Sequence, residues 1–335
     1  MIKNRCVVVP RAEGEVVRRA LVEAGLLATS LKIRSDEGRI YLPVVPGLDD
    51  RILSQVAPGR QVSECEFEET ERRQSVEELI GFAPSYEIIG DIAVTTEDYD
   101  RKVGEAIMVV HSNVKTVLVP VTGVIGEFRV REFKVLCGED RTTTTHREHG
   151  FVFEMDLAKV YFSPRLSTER KRVADQVTDL ELIVDMFAGV GPFAIPIAKR
   201  ALYVIANDKN PSAVEYLQKN IVLNHVKNIE ATCMDARDLK LRQPADRVIM
   251  NLPHSAFDFL DKAFELVRSG GVIHYYDIRP EGEIFEGIVG KIKAKASESG
   301  CLIEILNKRI VRSYSPHEYN IVLDIRVTGK KGEAD

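Results

Sequence analysis

The second half of the chain alternates short apolar runs with segments whose apolar residues recur at the period of a helix. Strands are predicted at 182–184, 202–206, 229–234, 247–250 and 271–276, and helices at 210–223, 254–268 and 281–299. Two strand-like segments, 301–311 and 318–327, end the pattern. Five β-α units with a terminal hairpin predict an α/β fold with a doubly wound, Rossmann-like sheet. Ligands of such sheets bind at the carboxyl ends of the strands.

The pattern in the first half of the chain predicts two smaller structural regions. Residues 1–62 hold a small α/β pattern, with a strand at 6–9, a helix at 13–24 and strands near Leu31 and Tyr41. A charged segment at 64–78 is predicted to be a helix or a linker. Residues 86–162 are predicted to be β-rich, with apolar runs at 107–110, 116–121 and 151–155.

The segment DMFAGVGPF, at 185–193, joins the strand at 182–184 to the next helix through two glycines. Gly189 and Gly191 allow the backbone to approach a ligand where a Cβ would intrude, and Pro192 is well placed to begin the helix. The segment predicts a pocket of nucleotide type. A tight strand-to-helix turn without a ligand is the simpler alternative.

Two cofactors compete for this pocket. Gly189, Gly191 and Ala194 match the fingerprint G-x-G-x-x-G/A, which indicates a nicotinamide or flavin enzyme. Asp185, however, lies four residues before the first glycine and would repel a diphosphate. S-adenosylmethionine carries a sulfonium and an α-ammonium group and no phosphate. The sequence therefore favours S-adenosylmethionine and leaves the nicotinamide cofactor as an alternative.

Polar residues follow the second and third predicted strands. Asp208 lies 23 residues after Asp185, where a ribose diol is bound in either cofactor. Asp235 and Ala236 follow the strand at 229–234, and a polar cluster at this place can reach an adenine edge.

The fourth strand stops at Asn251-Leu252-Pro253. This order is typical of methyltransferases that act on a planar nitrogen, because the Asn251 carbonyl can accept a hydrogen bond from a base amine. Pro253 fixes the local backbone. Alone, an Asn-to-Pro turn is weak support, since such turns often only end a strand. Its place after the glycine segment gives it weight.

Composition limits the possibilities. The chain has 335 residues, of which 44% are hydrophobic, so two or three domains with packed cores are expected. It shows no signal peptide and no apolar run long enough to span a membrane, which predicts a cytoplasmic protein. Five widely spaced cysteines argue against a disulfide framework or a metal site.

The net charge of −5 is a mild argument against nucleic acid binding, but one region of the chain carries a net positive charge. Residues 127–172 contain ten Lys and Arg against eight Asp and Glu. A basic cluster at 165–172, beside the predicted pocket, could bind the phosphates of a polynucleotide. A solvated helix face explains the same charges equally well.

Four segments together closely resemble the archaeal and eukaryotic tRNA (guanine-37-N1) methyltransferases. They are DMFAGVGPF, NLP, KVYFSPRLSTERKR at 159–172 and GEFR ending at Arg129. The resemblance extends over roughly residues 80–330. It implies methyl transfer from S-adenosylmethionine to N1 of the guanosine on the 3′ side of the anticodon. It also implies three domains: a tRNA-sensing domain at 1–65, an RNA-binding domain at 66–160 and a class I methyltransferase domain at 161–330.

The resemblance also implies roles for individual residues. Guanine N1 carries a proton, and Glu169 is the implied base that removes it, although a carboxylate also suits a helix amino terminus for its own sake. Arg129 is implied to stabilise charge on O6, with Arg147 as the second choice. Tyr161 would position the base, and Asn251 would read its amine edge.

The same motifs also imply which residues bind the cofactor and which bind RNA. The implied cofactor-binding residues are Asp185, Phe187, Gly189, Gly191, Asp208, Lys209, Asp235, Ala236, Asn251 and Pro253. The implied RNA-binding residues are Arg129, Arg147, Arg165, Arg170 and Arg172. The expected partner is tRNA, through its anticodon stem-loop and elbow, with the protein acting as a monomer and without a metal.

Three other functions stay open. A relative in the wybutosine pathway transfers an aminocarboxypropyl group with the same fold and cofactor, whereas Glu169 and NLP favour methyl transfer. A second relative methylates a wyosine intermediate, and there an NPP turn is expected in place of NLP. The chain could also be a tRNA-binding factor without catalytic activity.

Overall fold

The computed structural model describes residues 1–70, 74–123, 126, 128 and 130–332. The chain divides into two compact units, Met1–Ser75 and Val76–Asp335. The three-domain division at residues 65 and 160 stays a prediction.

The first unit is a four-stranded antiparallel sheet with two helices that share its apolar core. Its elements are β1 (Ile2–Pro10), α1 (Gly14–Glu23), β2 (Arg34–Ser35), β3 (Arg39–Pro43), α2 (Asp50–Val56) and β4 (Gln61–Phe67). The strands are ordered β2-β3-β1-β4. Val7 and Val9 on β1 pack with Leu21 on α1 and Leu53 on α2, because alternate residues of β1 point to the same face.

Two predictions for this region are wrong in detail. The charged segment at 64–78 does not form one helix or linker, because its first residues belong to β4. Glu64 and Glu66 occupy the exposed side of that strand while Phe67 is buried, so the charges obey the two-residue period of a strand. Leu31 itself forms only a single bridge with Glu69, and the strand predicted near it is the two-residue β2, which begins at Arg34.

The second unit begins with a mixed four-stranded sheet and a separate hairpin. The elements are α3 (Val76–Ile80), β5 (Tyr86–Ile89), β6 (Ile92–Thr95), α4 (Arg101–Val110), β7 (Thr116–Pro120), β8 (Phe133–Gly138), β9 (Thr143–Glu148) and β10 (Phe151–Asp156). Strands β5 to β8 lie in chain order, and β9 pairs with β10.

The apolar run at 107–110, counted above toward a β-rich region, is the end of helix α4. Asp100 caps this helix by accepting a hydrogen bond of 3.3 Å from the Val103 amide. Val103, Ala106 and Ile107 form its buried face, and this spacing is helical.

The rest of the second unit is the predicted doubly wound sheet. Its elements are α5 (Ser167–Asp175), β11 (Leu182–Asp185), α6 (Ala194–Ala198), β12 (Tyr203–Asp208), α7 (Pro211–Leu223), β13 (Ile229–Cys233), β14 (Ala245–Met250), α8 (Leu260–Leu266), β15 (Val267–Pro280), α9 (Glu286–Glu298), β16 (Cys301–Ser315) and β17 (Glu318–Lys330). The order is β13-β12-β11-β14-β15-β17-β16. Strands β11 to β15 are parallel, and β17 and β16 are antiparallel additions. The predicted fold class is confirmed.

Three details differ from the prediction. Helix α6 begins at Ala194, so Pro192 lies in the preceding turn. A short 3-10 turn, Ala236–Asp238, stands where the β-α pattern predicts a helix between β13 and β14, and Asp235 caps this turn by accepting a hydrogen bond of 3.0 Å from the Arg237 amide. The predicted helix at 254–268 divides into a 3-10 turn, Ala256–Phe259, and α8, and its last residues begin β15.

The parallel sheet is buried on both faces. On β11, Ile183 packs into one apolar core, and Leu182 and Val184 pack into the core on the opposite face. Two-sided burial explains why the strand sequence is apolar without alternation. Within the residues that the structure describes, no helix is both long and apolar enough to cross a membrane.

Candidate active site

A cavity lies at the carboxyl ends of the parallel strands. Residues that follow β11, β12, β13 and β14 all contribute to its wall, as the doubly wound topology requires. They include Phe187 and Gly189 after β11, Asp208 at the end of β12, Ala236 after β13 and Asn251 after β14. The cavity therefore brings together polar residues that the sequence places at separate strand ends.

Asp208 connects two walls of the cavity. Its Oδ2 accepts a hydrogen bond of 2.7 Å from the Gly189 amide, and its Oδ1 accepts one of 2.9 Å from the Asn210 amide. Burial raises the pKa of Asp208 above its ordinary value. The adjacent Lys209 forms an ion pair of 3.1 Å with Asp235. This arrangement holds a carboxylate at the cavity, suited to a pair of ribose hydroxyls.

The two glycines of DMFAGVGPF have different tasks. Both have positive φ, +55° at Gly189 and +93° at Gly191. A Cβ on Gly189 would lie 3.9 Å from the Tyr161 carbonyl and would project into open space at the cavity wall. A Cβ on Gly191 would lie 2.6 Å from Leu217 Cδ1. Gly189 thus leaves room for a ligand, whereas Gly191 allows the turn to pack on α7.

Asp185 lies behind the cavity wall and does not line it. Its side chain is 1% exposed, and burial raises its pKa to about 8. One oxygen receives only a 3.4 Å contact from the Phe187 amide, and the other has no hydrogen-bond partner in the described part of the chain. The expectation that Asp185 presents a negative charge to the cofactor is therefore not supported, because burial raises the pKa of this carboxyl and its side chain does not line the cavity.

An apolar slot and a buried amide complete this side of the cavity. The rings of Phe187 and Phe259 meet edge to face with centroids 5.0 Å apart, which suits a flat aromatic ligand. Asn207 braces the strand ends, since its Nδ2 donates to the carbonyls of Met186 at 3.2 Å and Met234 at 3.0 Å. Sequence reasoning passed over Asn207, whose role depends on contacts with two other strands.

Glu169 lies on α5 and is 2% exposed. Its Oε1 accepts hydrogen bonds of 2.7 Å from both the Tyr276 hydroxyl and Arg172 Nη2, and its Oε2 accepts one of 2.9 Å from Arg172 Nε. Burial raises the pKa of Tyr276 well above its ordinary value, and the Glu169 carboxylate adds to this. Glu169 does not line the cavity.

The ion pair of Glu169 and Arg172 is one end of a series of polar contacts that crosses the sheet. Arg172 Nη1 binds Asp324 at 2.8 Å, and His274 Nδ1 lies 2.6 Å from the other oxygen of Asp324. His274 Nε2 lies 2.7 Å from Arg247. Burial lowers the pKa of His274. Burial alone would raise the pKa of Asp324, but His274 and Arg172 bring it well below its ordinary value.

The predicted substrate residues are distributed differently. Tyr161 lines the cavity and is 39% exposed, and Pro253 also lines it. Arg129 lies outside the described residues, although its neighbour Phe128 lines the cavity. Arg147 is exposed on β9.

Two arginines of the basic segment are internal to the fold. Arg170 is buried, and it binds Glu148 through Nε at 2.8 Å and the Ser163 carbonyl at 3.1 Å. Arg172 is held by Glu169 and Asp324 as described. Arg165, nearly half exposed, pairs with Glu87. These contacts favour a structural role for Arg170 and Arg172 and leave Arg147 and Arg165 as the exposed candidates for phosphate binding.

The terminal hairpin contributes residues that sequence reasoning missed. Arg312 and Tyr314 on β16 and Asn320 on β17 line the same cavity. The Tyr314 ring packs edge to face against His254, with centroids 5.6 Å apart. The sequence places these residues in a strand-like region but does not show that they line a cavity. They reach it because the hairpin joins the sheet beside β15. Among the described residues, no group of three or more metal-binding side chains is found.

Comparison with known families accounts for this architecture. The model of the TRM5/TYW2 methyltransferase domain matches residues 144–305. The tRNA methyltransferase 5 N-terminal domain matches residues 6–52, and the TYW2 N-terminal domain matches residues 70–142.

Individual proteins are similar over nearly the whole chain. The tRNA (guanine(37)-N(1))-methyltransferase Trm5b of Pyrococcus abyssi is 42% identical over 96% of this chain and 98% of its own. The crystal structure of Trm5b from the same organism matches with a TM-score of 0.72 and 41% identity, covering 97% of this chain and 100% of that one. A complex of aTrm5 with tRNALeu matches with a TM-score of 0.69 and 37% identity, covering 96% and 99%.

A relative with a different activity is similar over less of the chain. The tRNA(Phe) (4-demethylwyosine(37)-C(7)) aminocarboxypropyltransferase of Methanocaldococcus jannaschii is 37% identical and covers 97% of its own length but 72% of this chain. The full-length similarity, the match of the N-terminal domain and the cavity at the strand ends agree. The chain belongs to the family of tRNA (guanine-37-N1)-methyltransferases.

Proposed function

We propose that this protein transfers the methyl group of S-adenosylmethionine to N1 of guanosine 37, the nucleotide on the 3′ side of the anticodon in tRNA. The observation that carries this function is the composition of the strand-end cavity. It joins a carboxylate suited to ribose, Asp208, to an amide oxygen suited to a base amine, Asn251. A cofactor and an acceptor base can therefore meet in one enclosed space.

The cavity fits S-adenosylmethionine on the donor side. Asp208 binds the ribose hydroxyls, and Gly189 leaves the room that a side chain would fill. Phe187 and Phe259 hold the adenine ring, with Asp235 at its amine edge. When bound, the cofactor supplies an electrophilic methyl group. Positioning the methyl group in line with N1 contributes most of the rate.

The acceptor side must remove the proton of guanine N1. Glu169 is the proposed base, Arg129 stabilises the charge that develops on O6, and Tyr161 positions the ring. In the structure Glu169 is hydrogen-bonded to Tyr276 and Arg172. A base must lie within hydrogen-bond reach of the proton that it accepts, so Glu169 exchanges at least one of these contacts for guanine N1 when the nucleotide enters.

The guanosine reaches the cavity only after it has left the stack of the anticodon loop. Exposed Arg147 and Arg165 bind the phosphates of the loop in this proposal, and residues 1–65 contact the tRNA elbow. The protein acts as a monomer in the cytoplasm, with domain boundaries near residues 65 and 160.

Nucleoside analysis of a treated tRNA transcript tests this function. A transcript with guanosine at position 37, incubated with the protein and S-adenosylmethionine, should yield 1-methylguanosine. A matched transcript with adenosine at position 37 should stay unmodified. An aminocarboxypropyl product would instead assign the activity of the wybutosine relatives, and the two products differ in mass. Absence of cofactor binding in equilibrium dialysis would favour a tRNA-binding factor.

A further inference from the structure

The guanidinium of Arg172 is shared between two buried carboxylates. Its Nε and Nη2 donate to Glu169 at 2.9 and 2.7 Å, and its Nη1 and Nη2 donate to Asp324 at 2.8 and 3.1 Å. The side chains of Glu169, Asp324 and Arg172 are 2%, 6% and 15% exposed. One positive charge thus faces two negative charges at a place where solvent screens little.

Asp324 keeps its negative charge while its further hydrogen-bond partners are neutral. His274 Nε2 lies 2.7 Å from Arg247 Nη1. An arginine can only donate, so His274 accepts at Nε2 and carries its hydrogen on Nδ1, which lies 2.6 Å from Asp324 Oδ1. Burial lowers the pKa of His274, in agreement with a neutral ring. Asn307 Nδ2 donates to the other oxygen of Asp324 at 3.2 Å.

Among the described residues, charged and titratable groups face Glu169 from α5, β15, β16 and β17. Arg172 lies on the same helix as Glu169, and the Tyr276 hydroxyl donates from β15. Arg309 on β16 lies 4.0 Å from Oε2 of Glu169. Asp324 on β17 is linked to Glu169 through Arg172. Two of these groups are cations, and Asp324 is the acid that offsets their charge.

The balance of charge around Glu169 matters for proton transfer. A cation close to a carboxylate favours the charged form of that carboxylate and makes it a weaker base. General base catalysis is most efficient when the affinity of the base for a proton is matched to the working pH. A carboxylate that faced the full charge of Arg172 would therefore take the N1 proton less readily.

We propose that Asp324 is a positioning residue of the reaction, which takes a share of the Arg172 charge and thereby preserves the strength of Glu169 as a base. His274 holds Asp324 in the orientation that binds Arg172. This inference rests on the proposed function. Asp324 and His274 do not line the cavity, so both act through Arg172 and not on the nucleotide.

The pH dependence of single-turnover methylation tests this role. Asp324→Asn removes the charge and keeps the shape, so the whole charge of Arg172 acts on Glu169. We expect the pH at half of the plateau rate to fall by about 0.5 to 1 unit, and the plateau rate to fall roughly three- to tenfold, because a weaker base catalyses less well. A purely structural role would lower the plateau without moving this pH.

The outcomes separate this inference from the proposed function. A half-plateau pH that stays in place or rises in Asp324→Asn would overturn the inference. Glu169→Gln should lose the acidic limb of the profile, and a limb that persists in this variant would also overturn it. No methylation of guanosine 37 by the unsubstituted protein would overturn the proposed function itself.

A matched control lies on β14. Asp246 accepts hydrogen bonds from Arg268 Nε at 2.6 Å and from the Leu182 amide at 2.7 Å, and it does not line the cavity. Asp246→Asn should leave the plateau rate and the half-plateau pH unchanged, even where it lowers stability. A shift of this pH in Asp246→Asn equal to that in Asp324→Asn would overturn the assignment to Asp324.

Equilibrium dialysis with S-adenosylmethionine reports whether each variant is folded. If Asp324→Asn does not fold, Asp324→Ser replaces it, because the smaller side chain also lacks the charge and leaves room for water. The same fall in the half-plateau pH is then expected, and its absence would overturn the proposal.

Discussion

The hydroxyl of Tyr276 donates a hydrogen bond of 2.7 Å to Oε1 of Glu169, although the two residues are 107 positions apart. Both side chains are buried, and Arg172 neutralises the carboxylate from the other side. The carboxylate proposed as the base is therefore hydrogen-bonded on two sides, and it must give up one of these contacts to reach a nucleotide. Its strength as a base and the stability of the sheet depend on the same contacts.

Removal of the Tyr276 hydroxyl should destabilise the fold. In Tyr276→Phe the buried Glu169 carboxylate loses one donor, and we expect a loss of about 1 to 3 kcal/mol in the free energy of unfolding. Urea denaturation measures it. Tyr203→Phe is the control, since the Tyr203 hydroxyl makes a solvent-exposed contact of 3.3 Å with Glu230. It should change stability by less than about 0.5 kcal/mol. Equal effects would show that the buried hydrogen bond has no special weight.

Replacement of the proposed base should remove catalysis and spare cofactor binding. Glu169→Gln keeps the shape of the side chain but not its ability to take the N1 proton, so we expect single-turnover methylation to fall by roughly 10² to 10⁴. Glu181→Gln is the matched control, because Glu181 also pairs with an arginine, Arg247, at 2.8 Å. A rate near that of the unsubstituted protein in Glu169→Gln would refute the role of Glu169.

Asp208 should control cofactor affinity. In Asp208→Ala the ribose loses a charged acceptor, and affinity for S-adenosylmethionine should fall roughly 10- to 100-fold while tRNA affinity is kept. Equilibrium dialysis and filter binding measure the two affinities. Asp238→Ala changes an exposed carboxylate close by in sequence and should leave both affinities as they were. Unchanged cofactor affinity in Asp208→Ala would rule out the ribose contact.

Asp185 should make the stability of the protein depend on pH. Its pKa is raised by burial to about 8 in the folded chain, so the folded state holds a proton that the unfolded state has released. The contribution of Asp185 to stability is complete below its unfolded pKa near 4 and is lost as pH rises toward 8. Asp185→Asn removes this loss.

The difference in unfolding free energy between Asp185→Asn and the unsubstituted protein should therefore move in favour of the variant from pH 5 to pH 7. The expected slope is up to roughly 1 kcal/mol per pH unit. Urea denaturation at several pH values measures it. A difference that is constant with pH would mean that Asp185 is ionised in the fold.

Substitution of Gly191 should mainly reduce stability, whereas substitution of Gly189 should mainly reduce cofactor binding. Gly191→Ala brings a Cβ to 2.6 Å from Leu217 and keeps an unfavourable φ, and we expect a loss of about 2 to 4 kcal/mol. Gly189→Ala meets open space, so its stability cost is about 1 kcal/mol, from φ alone. Its main effect should be weaker binding of S-adenosylmethionine. Thermal unfolding with and without cofactor distinguishes the two, and the opposite pattern would exchange their roles.

Most of the catalytic sheet could be predicted from the sequence, because strands buried on both faces need uninterrupted apolar runs such as Leu182 to Val184. The places where the prediction failed are local. Glu64 and Glu66 in β4 and the apolar end of α4 carry patterns that are short enough to suit more than one element.

The sequence by itself determined the fold class, the glycine turn and the family, and it indicated Asp208 as the candidate for ribose binding, since each depends on order and spacing along the chain. Only the tertiary structure decided which charges pair and what faces the cavity. Arg172 meets Asp324 across 152 positions, and Arg312 and Asn320 reach the cavity through a hairpin added to the sheet after the motif strands. Burial also raises the pKa of Asp185. Such contacts depend on which strands become neighbours, and no local pattern records that choice.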